Sequence, residues 1–172
     1  MARQTHIPQK LVEHFQEGYF DAFPELPEWH SWVMDQIQTE GSITTMLGRA
    51  RRFFGRPTDD ATLREAVAYE PQSVAADYTN RALLRILKAH LFGIDAVRED
   101  LSAEALDIFQ SNFPDSLPVE LFLQKHDEIG FRFREPDEPL VVPIVQSLME
   151  KYITITNPKG ESRPWLVPTE FE

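Results

Sequence analysis

Two short runs limit what this chain can fold into more than any other feature: "VELFLQKH" (Val119 to His126) and "IGFRFRE" (Ile129 to Glu135). Both have period-two character, the pattern of half-buried strands. Almost nothing separates them, which predicts a tight hairpin with Asp127 and Glu128 at or beside its turn. His126, Asp127 and Glu128 are three titratable groups in a row. The triplet alone fits two readings, a solvated charged turn or a tip where carboxylates hold metal. Magnesium prefers oxygen ligands and is usually held by one or two carboxylates plus substrate phosphates. Neighbouring strand residues point to opposite faces. Asp127 and Glu128 therefore share one ion only if the turn rotates one of them, and a single carboxylate here needs a second from elsewhere.

Around the hairpin the patterns are mostly helical. Pro8 to Gly18 carries Leu11, Val12 and Phe15 at helical spacing, with Gly18 as a stop. "FPELP" (Phe23 to Pro27) reads as a break, and Glu28 to Glu40 as a second helix ended by Gly41. "SITTMLGRARRFFG" (Ser42 to Gly55) reads as a short hairpin turning near Leu47-Gly48. Thr58, Asp59 and Asp60 are capping residues for a helix over Ala61 to Tyr69. Pro71 is expected to interrupt it, with a longer helix from Ser73 to Leu91. Asp95 to Asn112 is acidic and helical in part, "FPDSLP" (Phe113 to Pro118) is a turn, Val141 to Ile153 is a helix, and Arg163 to Phe171 is a last strand. Helices and strands mix without regular β-α-β alternation, so the expected class is α+β, with helices packed on a small antiparallel sheet.

Composition narrows the function. The 172 residues suit one domain or a large piece of one, and 42% apolar content with twelve Phe and three Trp can fill a core. No run reaches membrane-spanning length and "MARQTHIPQK" has no apolar leader, so no membrane partner and a cytoplasmic location are expected. The absence of cysteine excludes disulfides, thiolate zinc sites and cysteine nucleophiles. His6, His14, His30 and His90 are scattered without zinc-site spacing, and no P-loop, Gly-x-Gly-x-x-Gly or Gly-x-Ser-x-Gly occurs.

Net charge is −11, which argues against an isolated nucleic-acid module. The cations are nevertheless grouped. Gly48 to Arg56 holds Arg49, Arg51, Arg52 and Arg56 with no acid. Interleaved with Phe53 and Phe54, this group suits either single strands or a duplex backbone, or else a surface hairpin balancing nearby acids. Arg81, Arg85 and Lys88 share one helical face, which is either a phosphate-contacting face or a solvated one opposite Leu83, Leu84 and Leu87.

Four segments in order resemble the C-terminal fingers and palm portion of the bacterial DNA polymerase I family, family A. "ARQTHIPQKLVEHFQEGYFDAFPEL" is similar to the segment after the nucleotide-binding O-helix of the fingers. "ITTMLGRARRFF" is similar to the Thr-x-x-Gly-Arg-Arg hairpin, and "LREAVAYEPQSVAAD" to the Arg...Pro-x-Gln-x-x-Ala-Ala-Asp region. "LQKHDEIGFRF" is similar to motif C, Gln-x-His-Asp-Glu between two palm strands.

The resemblance implies residues 1–60 as the end of the fingers and 61–172 as a partial palm. It implies Asp127 as a metal ligand, Glu128 as the supporting acid, and His126 and Gln124 close to the primer terminus. Arg64 and Gln72 match primer-template contacts, and Arg49, Arg51 and Arg52 a weaker class of backbone contact. A family asparagine falls on Ala68, and the ending "PTEFE" departs from the family's Gly-x-Asn-Trp-like close. The implied chemistry is template-directed nucleotidyl transfer with two Mg²⁺ ions, on primer-template DNA and deoxynucleoside triphosphates.

The match begins at Met1, past the O-helix. The second metal-binding aspartate, in motif A, and the O-helix are therefore expected on another chain, and this chain alone is expected to be inactive. It is expected to be one half of a split enzyme or a truncated reading frame of a phage or bacterium. The alternatives are a non-catalytic DNA- or protein-binding remnant of a palm and a small metal-dependent phosphodiesterase using Asp127 and Glu128 with Asp77 or Glu65.

Overall fold

The computed structural model describes residues 8–156 and 160–171. It is α+β, and its order is helices α1 (Gln9–Ala22) and α2 (Glu25–Thr39), strands β1 (Ser42–Thr44) and β2 (Ala50–Arg52), helices α3 (Asp60–Phe92) and α4 (Ala103–Asn112), strands β3 (Glu120–Lys125) and β4 (Glu128–Arg132), helix α5 (Glu138–Met149), and strands β5 (Ile153–Thr156) and β6 (Ser162–Trp165). Among the described residues the antiparallel sheet takes the form of three separate two-stranded ladders, β1-β2, β3-β4 and β5-β6.

The chain divides into two compact units. One comprises the described residues up to Thr44 with Arg49–Glu70, and the other Thr45–Gly48 with the described residues from Pro71 onward.

In the first unit α1 and α2 differ from the expected bounds. α1 runs through Gly18 to Ala22, because one glycine costs a helix only about 1 kcal/mol. The break at "FPELP" shrinks to Phe23-Pro24. Pro27 falls in the first turn of α2, where a missing N–H leaves no hydrogen bond unmade. Val33 and Ile37 of α2 are buried with Ile43, Ala66 and Tyr69, and Trp29, Trp32 and Phe53 pack around them. The expected hairpin forms as β1-β2, and Gly48 (φ 86) provides the turn conformation that few other residues adopt. No residue of α1 is buried. Leu11, Phe15, Tyr19 and Phe23, four residues apart, form an exposed apolar stripe along it.

The helix α3 corrects the expected interruption, for it continues through Pro71. Tertiary packing overrides the local preference: Ala66 and Tyr69 are buried before the proline, Val74 and Tyr78 after it. The division between the units falls at this proline.

The second unit holds the larger core. Ile86 and Ala89 of α3, Ala105 and Phe109 of α4, and Val141, Ile144, Val145 and Leu148 of α5 meet there with Leu117 and Val119. The α5 residues recur at i, i+3, i+4 and i+7, one stripe of a helix. α5 starts earlier than expected, at Glu138, because Pro139 suits a first turn, and it stops at Met149 so that Ile153 begins β5. β6 ends at Trp165 rather than running to Phe171.

Beyond β6 the chain is fastened by side chains instead of a ladder. Tyr78 Oη accepts from Val167 N (3.4 Å) and donates to the Lys151 carbonyl (3.2 Å). Glu150 Oε1 accepts from Thr169 N and Oγ1, both at 2.8 Å, and from Gln146 Nε2 at 3.2 Å. Burial pushes the Glu150 carboxyl up, but the bonds from Thr169 and Gln146 outweigh it and hold the group below its ordinary value of 4.5. A carboxyl depressed by folding stabilises the fold fully above its unfolded pKa and loses that contribution as pH falls through the folded value. Protection of the Thr169 amide from hydrogen exchange, corrected for intrinsic rates, is therefore expected to drop on acidification below about pH 4.5. Glu150→Gln should flatten that dependence.

Candidate functional site

The β3-β4 hairpin forms where the sequence suggests, with strands shorter than the expected Val119 to His126 and Ile129 to Glu135, and it is anchored from below. Leu121, Ile129 and Phe131 pack against the larger core. Leu117 N donates to the Ala89 carbonyl (3.0 Å), and His90 Nδ1 lies 2.9 Å from the Leu117 carbonyl oxygen. These bonds tie the segment before β3 to α3. Glu120 and Arg132 face each other at the base of the ladder and form a bidentate pair, with both N–H···O distances 2.8 Å. Phe131 also stacks on Phe133 (5.9 Å between ring centroids) and meets Phe171 edge-on (6.4 Å).

Lys125 pairs with Glu128, which leaves His126 and Asp127 as a two-residue turn. His126 has φ 55, the only positive φ on a described residue other than glycine. Histidine tolerates this region better than most residues, yet such a conformation persists only where its surroundings over-determine it. Gln124 contributes one such constraint: its Nε2 donates to the His126 carbonyl at 3.0 Å. Asp127 thus sits in a turn fixed by its own strand. Because Asp127 lies in the turn, strict alternation of faces applies only from Glu128 onward.

The hairpin contains one feature that the period-two reading missed. Leu121 pairs with Phe131 and Leu123 with Gly130, so Phe122 is an extra, bulged residue. A Cβ on Gly130 would lie 2.9 Å from Leu123 Cβ and 3.0 Å from the Phe122 ring. The signal was a glycine within a strand pattern, which marks a bulge or a close approach. The bulge reverses the facing of β3, so that Leu121 packs inward while Phe122, Leu123 and Gln124 are exposed.

Asp127 and Glu128 are both exposed and have no ion-pair partner among the described residues. Two free carboxylates on a fixed turn are the donor type that magnesium takes. Among the described residues no group of three or more His, Cys, Asp or Glu is placed to hold an ion. With two carboxylates, this end of the hairpin offers part of a ligand set at most.

The other expected residues fall on two elements. Arg64 and Gln72 are exposed on α3 and have no polar partner among the described residues. Arg51, on β2, is committed locally. It is paired with Glu65, and its guanidinium lies 4.9 Å from the Phe53 ring centroid and 5.5 Å from that of Tyr69. Tyr69 Oη donates to the Arg49 carbonyl (3.1 Å). Arg52 is exposed and has no polar partner among the described residues.

Of the face formed by Arg81, Arg85 and Lys88, only Arg85 turns inward. It donates to the Leu148 carbonyl at the end of α5 (3.0 Å) and lies 3.7 Å from Asp100. Burial lowers its pKa, against the opposing pull of Asp100. Arg85 is thus a clamp on a helix end, while Arg81 and Lys88 are exposed. His14, His30 and His90 form no metal-binding group, and His6 lies outside the described residues. No described helix is long and apolar enough to cross a membrane.

Comparison with known proteins returns one family. DNA polymerase family A matches residues 1–159. The thermostable DNA polymerase I of Thermus filiformis is 24% identical over 172 residues, covering 96% of this chain and 18% of its own length. The DNA polymerase I of Bacillus caldotenax is 24% identical, covering 92% of this chain and 16% of its own length. That of Treponema pallidum is 26% identical, covering 92% of this chain and 14% of its own length. This chain thus spans less than a fifth of these relatives. Among solved structures, the POL domain of Pol1 from M. smegmatis, in complex with DNA primer-template and dNTP, superimposes with a TM-score of 0.63 at 25% identity. The match covers 87% of this chain and 23% of that one.

Proposed function

Because this chain belongs to DNA polymerase family A, we propose that it supplies the motif C hairpin of a DNA-directed DNA polymerase and works with polymerase sequence carrying motif A and the O-helix. The observation that carries this reading is the tip of the β3-β4 hairpin, where Asp127 and Glu128 stand exposed and without an ion-pair partner among the described residues, on a backbone fixed by its own strands. In this assignment residues 1–60 close the fingers and 61–172 form part of the palm. Primer-template DNA and deoxynucleoside triphosphates are the substrates.

When bound, two Mg²⁺ ions supply charge stabilisation to the attacking primer oxygen and to the leaving pyrophosphate. Asp127 would hold metal, and Glu128 would support the same end of the site. Gln124 fixes the turn that presents them. Lys125 and His126 keep the flank of the carboxylates polar and exposed, suited to a primer end. Arg64 and Gln72, exposed and without polar partners, are available to phosphate and base edges. Arg52 of the β1-β2 hairpin is exposed and has no polar partner among the described residues, while Arg51 is held by Glu65.

The exposed stripe of Leu11, Phe15, Tyr19 and Phe23 is an apolar surface suited to packing against the remainder of a polymerase. Magnesium needs more ligands than one hairpin offers, so the purified chain alone is expected to give no primer extension with Mg²⁺. Co-expression with a chain carrying motif A and the O-helix is expected to give template-dependent extension. Robust synthesis by these residues alone would contradict the need for motif A and the O-helix.

A further inference from the structure

The segment after β2 carries an aromatic side chain that the small core does not take up. Phe54 is 94% exposed. Its neighbour Phe53 turns inward, packing on the small core and meeting Tyr69 edge-on at 5.9 Å. The alternation is regular: Arg51 and Phe53 engage Glu65 and Tyr69, while Arg52 and Phe54 are exposed and Arg56 follows two residues on. Arg52 and Arg56 have no polar partner among the described residues.

The exposed position of Phe54 is built in. Gly55 passes so close to α3 that a Cβ there would lie 2.0 Å from Thr62 Oγ1, and Thr62 is buried. The backbone beyond Phe54 is therefore seated on α3, which leaves the ring outside. Arg52, Phe54 and Arg56 make a cation–aromatic–cation series at two-residue steps, with no acid between Gly48 and Arg56.

We infer that Phe54 is a stacking platform for an unpaired nucleobase, with Arg52 and Arg56 on the flanking phosphates. Charge decides the class of ligand: two free guanidinium groups on either side of one exposed ring suit a polyanion that carries flat apolar faces. Bases stack on aromatic rings whatever their sequence, so the site reads single-strandedness rather than sequence. This rests on the reading that the chain works on DNA, and adds to it a contact for a single-stranded portion.

The test is fluorescence anisotropy of the full chain with a labelled dT12 single strand and a blunt duplex of random sequence, at low salt. Phe54→Ala is expected to weaken dT12 binding about tenfold or more and to leave the duplex unchanged, while Phe54→Trp keeps or improves it. Arg52→Ala and Arg56→Ala should each reduce the salt slope by about one. Since Phe54 contributes nothing to the core, the variants should melt with the parent chain. Equal dT12 affinity for Phe54→Ala and the parent overturns the inference, as does an absence of dT12 binding by the parent chain. Either result leaves the polymerase reading to be judged separately, by the loss of primer extension in Asp127→Ala.

Discussion

In a polymerase assembled with sequence carrying motif A and the O-helix, Asp127→Ala is expected to reduce primer extension by about a hundredfold or more. Metal-borne stabilisation of transition-state charge is worth several kcal/mol, and each 1.4 kcal/mol or so is tenfold in rate. The loss should fall on kcat, because the hairpin and its neighbours remain in place. Asp127 is exposed and makes no ion pair among the described residues, so removing its carboxylate breaks no structural bond. Assembly and melting temperature should be unchanged. Glu128→Gln should cost less, since it keeps shape and hydrogen bonding at the first residue of β4. Activity in Asp127→Ala within severalfold of wild type would remove the carboxylate from the chemistry.

Phe109→Ala is the substitution expected to damage the fold most. Phe109 is fully buried on α4, within the cluster where α3, α4 and α5 meet, and among the described residues it is the largest of the completely buried side chains. Loss of its ring removes transfer free energy and leaves a cavity, a combined cost of about 3–5 kcal/mol. The same core carries Leu121, Ile129 and Phe131, so the β3-β4 hairpin should loosen with it. Urea unfolding measures the loss. Phe54→Ala is the internal comparison, the same chemical change at the surface, and should stay within about 0.5 kcal/mol of the parent. Comparable losses for the two would mean that α4 is not where the stability resides.

The α+β class, the two hairpins and the two-residue turn at Asp127 were legible because each is a local pattern: alternation bounded by turn residues, or apolar positions at helical spacing. What was not legible depends on packing. Pro71 reads as a break, yet α3 continues because residues on both sides of it are buried. Arg85 and Lys88 look alike in sequence, but only Arg85 finds a helix-end carbonyl to bind. Arg51 and Arg52 are adjacent arginines whose roles separate because β2 turns one toward Glu65 and the other outward. The bulge at Phe122 had a local signal in Gly130, eight residues further along the chain, where no single-strand pattern connects the two. The candidate site reads in the sequence only as residue types in order, since a turn's charge does not reveal whether its backbone is fixed. Gln124 and the positive φ of His126 supply that part.

The central claim is that the turn between β3 and β4 is the metal-holding end of this chain. Paramagnetic Mn²⁺ in place of Mg²⁺ tests it directly, in the assembly carrying primer-template and with isoleucine methyl groups labelled in this chain alone. Ile129, one residue beyond Glu128, is expected to broaden before any other isoleucine, and Asp127→Ala should abolish that broadening. A sharp Ile129 signal while methyl groups elsewhere in the chain broaden would contradict the account.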